Sequence, residues 1–343
     1  MTEVITKGPA AEEALRHYFL GVGFFVARGC RFRFNQFDVT DIDLWLYSKT
    51  SPLGRERLNV DIKNKKTPQA LERVFWAKGL QSVLDLDGCI VATTDTRPDV
   101  REFGLQHQVT VLDGKFLARL MKNERVQSKR ISEEDLLAEL EHGSMGKLGG
   151  DWRGRYEASK SRLLASLTFD ESNAWLQDVG YFLEAVAAAP VPEAALLRMV
   201  YICSAFFLIS VDFILREHVV AEQEQRRTIL DSGFRYGSAG RAFTEKVGRI
   251  AASLVASVSN QVGISETIVR ELGEQAKDIR ADLLAEFFSR ASTHSHLFEM
   301  AKEFESAAFA VSVPKPSQLP SQTQSVLGVL ADFCALDRKR ILV

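Results

Sequence analysis

The sequence is poor in cysteine and has no strong excess of charge of either sign. The four cysteines are Cys30, Cys89, Cys203 and Cys334. They lack the paired spacing of a zinc site, so we expect reduced core residues in a cytoplasmic protein. The net charge is only -2, and any binding to nucleic acid must therefore come from a local basic surface. The first 125 residues, with 19 Lys and Arg against 16 Asp and Glu, are mildly basic.

Several motifs of nucleotide-binding proteins and zinc enzymes are also missing. The sequence contains no GxxxxGK[ST], no GxGxxG and no HExxH. These absences argue against an ATP-driven motor, a dinucleotide-dependent enzyme and a zinc protease. The first residues, MTEVITKGPAAEE, do not have the basic and then apolar pattern of a secretory signal, which also favours the cytoplasm.

Long apolar runs are scarce, but one stands between Arg198 and Arg216. It reads MVYICSAFFLISVDFIL and is almost long enough to cross a bilayer. It contains Asp212, and a carboxylate at membrane depth costs several kcal/mol. We therefore predict a buried helix of a helical domain and no membrane span.

The first 122 residues alternate between helical and strand periodicity, which is typical of a mixed α/β domain. Residues 30–34, 41–47 and 58–62 alternate as three strands, which we expect to run antiparallel. Residues 89–93, CIVAT, form a continuous apolar run, so we expect this strand to be buried on both faces near the centre of the sheet. With the intervening helical patterns, the predicted order is αβββαβαβα.

Beyond this domain nearly every segment has helical periodicity. The glycine-rich stretch GSMGKLGGDWRGR predicts a boundary. We therefore divide the chain into an α/β domain at 1–142, a linker at 143–155 and an all-α domain at 156–343. The predicted helices lie near residues 156–167, 171–188, 193–230, 240–259, 264–290, 296–310 and 321–336. The segment GFRYGSAGRAF at 233–243 could bind phosphate or a partner, but we favour a turn between two helices.

Three side chains that could perform chemistry converge on the predicted sheet. Asp61 and Lys63 are two residues apart in the third strand, so both point to one face. If the loop at 48–57 joins neighbouring antiparallel strands, Asp43 projects from the adjacent strand on that same face. Asp41 competes for this position, but Asp43 is preferred by the alternation of the strand.

Two carboxylates and a lysine suit the hydrolysis of a phosphodiester. A hard cation such as Mg²⁺ or Mn²⁺ prefers oxygen ligands, and here Asp43, Asp61 and the Ile62 carbonyl could supply them. Lys63 could orient the attacking water or offset the charge that develops on the phosphate. Glu13, on the polar side of the first helix, could complete the site.

The segments DIDLWL and NVDIKNKK resemble the D…(D/E)-x-K signature of PD-(D/E)XK nucleases. The flanking segments GFFVARGC and GCIVATTDTRPDVREFGLQHQVTVLDGKFLARL are most similar to the Mrr-type restriction endonuclease domain. The resemblance covers about residues 10–122. It implies a restriction-endonuclease-like fold and Mg²⁺-dependent cleavage of DNA, with Asp43, Asp61 and Lys63 on the motif positions.

Basic residues after the motif are candidates for contact with phosphates. They are Lys65, Lys66, Arg73 and Lys78. The same residues could equally form a solvated helix face. The leading interpretation is a DNA endonuclease with a role in bacterial defence. Its helical domain is expected to select the substrate, to dimerise or to bind another protein. The principal alternative is a catalytically silent relative that binds nucleic acid or assembles with partners.

Overall fold

The chain begins with a mixed sheet and continues as mostly helical structure. The computed structural model describes residues 7–35, 37–65, 69–122, 130–143, 150–189, 193–258 and 263–342. Within the first three ranges the elements are α1 (Lys7–Gly21), β1 (Phe25–Phe34), β2 (Phe37–Lys49), β3 (Arg55–Lys63), α2 (Ala70–Val83), β4 (Gly88–Thr93), α3 (Pro98–Gln106), β5 (Val109–Leu112) and α4 (Gly114–Lys122). This order is the αβββαβαβα predicted from the sequence. A further helix, α5 (Glu133–Gly143), follows.

The five strands lie side by side in chain order. β1, β2 and β3 pair antiparallel, as predicted, whereas β4 and β5 are added parallel to β3. Residues 89–93 form the buried strand β4, as expected, but the central strand of the sheet is its neighbour β3. β4 is buried on both faces because helices cover both sides of the sheet. An apolar run in the sequence does not show where in the sheet its strand lies.

Each face of the sheet has its own apolar core. On one face, Leu44 of β2 and Val60 of β3 pack with Leu15 and Phe19 of α1 and with Leu117 of α4. On the other face, α2 covers β4. The residues of this second core are Val74, Ala77, Cys89, Val91 and Val109. Because side chains alternate along a strand, Asp43 and Asp61 belong to the second face, beside α2.

The later part of the chain is built from helices. They are α6 (Trp152–Ser161), α7 (Phe169–Ala188), α8 (Ala194–Leu215), α9 (Gln223–Tyr236), α10 (Gly240–Val258), α11 (Ile264–Asp278), α12 (Ala281–Ser289), α13 (Ala291–His294), α14 (Leu297–Ala308), α15 (Ser321–Phe333) and α16 (Arg338–Ile341). Two of the predicted helices were too long. The segment 193–230 is divided between α8 and α9, and the segment 264–290 between α11 and α12.

Hydrogen bonds at the helix ends explain both divisions. After α8, the Arg216 guanidinium donates to the Phe213 carbonyl, and Glu222 begins α9 with a reciprocal capping box. After α11, Arg235 donates to the carbonyls of Ala276 and Ile279, which lack helical partners. Gly237, with φ of 67°, ends α9, so the segment 233–243 includes the predicted turn between helices.

The long apolar segment forms α8 and the turn that follows it. Residues Ala194–His218 are long and apolar enough to cross a membrane, but 94% of their most apolar window is buried inside the protein. The prediction of a buried helix is therefore confirmed. All four cysteines are free, and Cys30, Cys89 and Cys203 are buried as expected, whereas Cys334 is half-buried.

The chain divides into two compact units that are not consecutive in sequence. The first consists of the described residues of Met1–Ser166, Glu193–Ile202 and Ala301–Val313. The second consists of those of Leu167–Pro192, Cys203–Met300 and Pro314–Val343. Part of the predicted helical domain, including α6, thus belongs to the unit that contains the sheet.

Candidate active site

The candidate site lies where β2 and β3 separate. Their antiparallel ladder runs from Lys49 opposite Arg55 to Leu44 opposite Val60. Asp43 and Asp61 are the next residues along the two strands. Beyond this point β2 continues beside β1 and β3 continues beside β4. The two aspartates therefore lie just beyond the last paired residues of β2 and β3.

Asp43 connects β2 to β3 at this point. Its carboxylate accepts a hydrogen bond of 2.6 Å from the Ile62 N–H of β3. Burial raises the pKa of Asp43 to about 7, and the neighbouring charges of Asp61 and Glu12 add to the rise although Lys63 opposes it. Asp43 is therefore a buried carboxylate whose charged neighbours include two other carboxylates, Asp61 and Glu12.

Asp61 has a cationic partner from α2. The Arg73 Nε donates to Asp61 Oδ2 at 2.7 Å, and its Nη2 donates to Asp61 Oδ1. Asp61 is buried, whereas the Arg73 side chain is 21% exposed. This fork geometry is the strong form of an arginine–carboxylate pair. Both oxygens that could bind a metal are therefore hydrogen-bonded to Arg73.

Lys63 lies at the end of β3, opposite Thr93 of β4. It is half-buried, and its charge lowers the pKa of Asp43. The structure therefore brings Asp43, Asp61 and Lys63 together at the point where β2 and β3 separate, as the sequence predicted. Asp41 is exposed and pairs across the ladder with Arg31 of β1, away from the Ile62 N–H.

Glu13 lies outside this group of residues. Its Oε1 accepts from Arg28 Nη1 at 2.8 Å and from the Glu133 N–H at 3.0 Å. Although burial raises its pKa, Arg16 and Arg28 hold the pKa of Glu13 below its ordinary value. Its neighbour Glu12 is the α1 carboxylate that acts on Asp43. Consecutive helical residues point about 100° apart, so helical periodicity alone does not distinguish them.

The donor set fits a hard divalent cation. Among the described residues there is no group of three or more His, Cys, Asp or Glu that could hold a metal. Mg²⁺ needs only one or two carboxylates because it retains several waters. Asp43 and Asp61 are such carboxylates, although both Asp61 oxygens are held by Arg73, and the Ile62 carbonyl lies between Asp61 and Lys63 in the chain. Burial is the main cause of the raised pKa of Asp43, and the charges of Asp61 and Glu12, which a bound cation would offset, add to it.

The predicted phosphate-binding residues are placed differently from one another. Arg73 binds Asp61, and Lys65 is exposed just beyond β3, with its carbonyl accepting from Thr94 Oγ1 at 2.5 Å. Lys78 lies farther along α2, where its charge opposes the rise that burial gives to the pKa of Cys89 at the start of β4. Lys66 lies outside the described residues.

The outer surface of α2 carries large apolar residues. Small residues, Ala70 and Ala77, fill much of the buried face, while Phe75 is 63% exposed and Trp76 is 44% exposed. The Arg73 guanidinium lies 5.5 Å from the centre of the Trp76 ring. Aromatic surface therefore lies one contact away from Asp61. The adjacent pair Phe75–Trp76, next to a cation, is the signal that could have predicted it.

Comparison with known proteins adds no relative. The chain matches no protein-family profile, no curated protein and no solved structure. The structure itself defines a mixed α/β sheet domain followed by helices.

Proposed function

We propose that this chain is a metal-dependent endonuclease of the PD-(D/E)XK class, with a restriction-endonuclease-like, Mrr-type α/β domain that hydrolyses phosphodiester bonds in DNA. One observation carries the proposal: Asp43, Asp61 and Lys63 meet where β2 and β3 separate, and the pKa of Asp43 is raised to about 7. Perturbed carboxylates of this kind cluster at functional sites. A role in bacterial defence belongs to the proposal through the resemblance alone, and a place in the cytoplasm through the free cysteines.

Each residue has a defined task in this proposal. A divalent cation, Mg²⁺ or Mn²⁺, held by Asp43, Asp61 and the Ile62 carbonyl would neutralise the phosphate and lower the pKa of an attacking water. Asp43 is held in place by the Ile62 N–H, so its second oxygen is oriented. Lys63 donates a hydrogen bond to the attacking water or to a phosphate oxygen, where negative charge develops.

The surface around the site supports a nucleic-acid substrate. Trp76 and Phe75 are exposed aromatic side chains on which bases can stack. Stacking of one base on an aromatic side chain contributes about 1–3 kcal/mol to binding, as judged by alanine substitution. Arg73 and Lys65 can neutralise phosphates beside the scissile bond. A phosphate that draws Arg73 away would also release the oxygens of Asp61.

Cleavage of DNA tests the proposal. Supercoiled plasmid is incubated with Mg²⁺, with Mn²⁺ and with EDTA, using the native chain, Asp43→Asn and Asp61→Asn. Asp99→Asn, which changes an exposed carboxylate of α3, is the matched control. We expect nicking or linearisation by the native and control proteins only, and only with metal. Cleavage that survives both site variants would assign the activity to another site or to a contaminant.

A second function is favoured by the contact between Arg73 and Asp61. An arginine that holds both oxygens of a metal-binding carboxylate also describes a silent nuclease fold, in which the ion pair replaces the metal and the domain binds nucleic acid or a partner. Binding to DNA that is unchanged by EDTA and by Asp61→Asn, without cleavage of any substrate, would support this alternative.

A further inference from the structure

The hairpin of α10 and α11 exposes an unusual number of large apolar side chains. On α10 these residues recur at intervals of three or four, so they form one stripe along the helix. The stripe consists of Phe243 (58% exposed), Val247 (47%), Ile250 (52%), Leu254 (64%) and Val258 (86%). A continuous apolar surface of this kind marks an interaction site more often than a solvated face.

The opposite face of α10 carries small residues and packs on α11. A Cβ added at Gly248 would lie 3.2 Å from the Leu272 Cδ1, and Ala252 is fully buried. The hairpin therefore packs through its small residues and turns its large ones outward. Arg235 of α9 binds the carbonyls at the end of α11, so the hairpin is anchored at its base.

Charge is divided between the two helices. α10 has three cations and one carboxylate, whereas α11 has four carboxylates and two cations. Lys246 and Arg249 lie beside Ile250 and Leu254 on an open surface of α10. Among the ion pairs of the described residues, none engages Lys246 or Arg249. An occupant of this surface should be acidic and should cover the apolar stripe.

We propose that the occupant is the same hairpin of a second copy of this chain. In a two-fold interface every contact is made twice, so a hairpin with one cationic and one acidic helix is complementary to itself. The α10 stripes bury each other, while Lys246 and Arg249 face Glu271 and Glu274 on α11 of the other copy. This interface is independent of the proposed nuclease function, because all its residues lie in α10 and α11.

Sedimentation velocity of the full chain over about 1–100 µM tests the interface. We expect a concentration-dependent dimer, which Leu254→Glu weakens by at least ~10-fold in dissociation constant because it places charge in the stripe. Val220→Glu, at an 86% exposed position outside the hairpin, is the matched control and should leave the dimer intact. A chain that stays monomeric, or a dimer that Leu254→Glu leaves unchanged, overturns the proposal.

Charge reversal identifies the occupant. Lys246→Glu with Arg249→Glu in one chain, and Glu271→Lys with Glu274→Lys in another, should each impair self-association, whereas their mixture should form a heterodimer. Failure of the mixture to associate overturns the proposed pairing of α10 with α11. Flotation of a monomeric chain with anionic vesicles, abolished by Leu254→Glu, would overturn the second copy as occupant and assign the stripe to a lipid surface.

Discussion

Arg73 on α2 holds the Asp61 carboxylate with two hydrogen bonds, whereas the adjacent Asp43 accepts, among the described residues, a hydrogen bond from the Ile62 N–H. The two carboxylates of one site are therefore in different electrostatic states. Asp61 is compensated by a cation, and Asp43 is destabilised by burial and by its acidic neighbours.

Asp43 should make the stability of the protein depend on pH. Its folded-state pKa of about 7 lies above the ordinary value of 3.8, so its ionisation opposes folding increasingly from about pH 4 to pH 7 and by a constant amount above that. Asp43→Asn removes the charge and keeps an acceptor for the Ile62 N–H. We expect its melting temperature to exceed that of the native chain by about 2–5 °C at pH 8 and by less at pH 5.

Thermal melts of both proteins between pH 5 and pH 8.5, in EDTA, measure this difference. Asp99→Asn, at an exposed carboxylate of α3, is measured in parallel as the control. A difference between Asp43→Asn and native that does not grow with pH would contradict the raised pKa of Asp43.

Protons and metal should compete for the same carboxylate. Because the pKa of Asp43 is about 7, a divalent cation must displace a proton below that pH. We expect the dissociation constant for Mn²⁺ to fall as pH rises from 6 to 8, and to change little with pH in Asp43→Asn, which binds more weakly throughout. Isothermal titration calorimetry measures both the affinity and the proton release. Tight binding without proton release at pH 6 would argue against Asp43 as a ligand.

Arg73 should oppose metal binding and favour DNA binding. In Arg73→Gln the Asp61 oxygens are released, so the affinity for Mn²⁺ should rise while the affinity for DNA falls, because one phosphate contact is lost. Arg101→Gln, which changes a 66% exposed arginine of α3, is the control. Under the silent alternative, Arg73→Gln lowers stability and creates no metal affinity, so the two functions give opposite results for metal.

Much of the sheet could be predicted from the sequence because strand alternation and the loops between strands are local patterns. Alternation along β2 and β3 placed Asp43, Asp61 and Lys63 on one face, and the loop at 48–57 made their strands neighbours. The position of β3 at the centre depends on where the parallel strands are added, which alternation does not encode. The break between α8 and α9 depends on a capping box at Glu222, which apolar periodicity passes over.

The rest of the site required contacts between distant segments. Glu13 is held by Arg16, Arg28 and the Glu133 N–H, and Glu133 is 120 residues away in the chain, whereas the charge of Glu12 raises the pKa of Asp43. Arg73 was expected at a phosphate, but its position over Asp61 depends on how α2 crosses the sheet. The sequence identifies the residue types of the site, and tertiary packing selects the partners.

Arg28 should be essential for the stability of the sheet unit. Its buried guanidinium binds Glu12, Glu13 and Glu134, so Arg28→Met removes a cation that three carboxylates share, although Arg16 still pairs with Glu13. We expect the free energy of unfolding in urea to fall by about 3–5 kcal/mol. Arg33→Ala, at an exposed pair with Asp38, should cost no more than about 1 kcal/mol. Similar losses in the two variants would contradict the role of the buried network.

The most direct test of the proposed catalytic centre compares two lysines at the end of β3. Single-turnover cleavage of DNA is measured with Lys63→Met and with Lys65→Met, alongside DNA binding by each. We predict that Lys63→Met lowers the cleavage rate by about 100-fold or more while DNA affinity changes little, and that Lys65→Met affects binding only. Equal cleavage rates in the two variants, or the absence of cleavage by the native chain with either metal, would contradict the assignment.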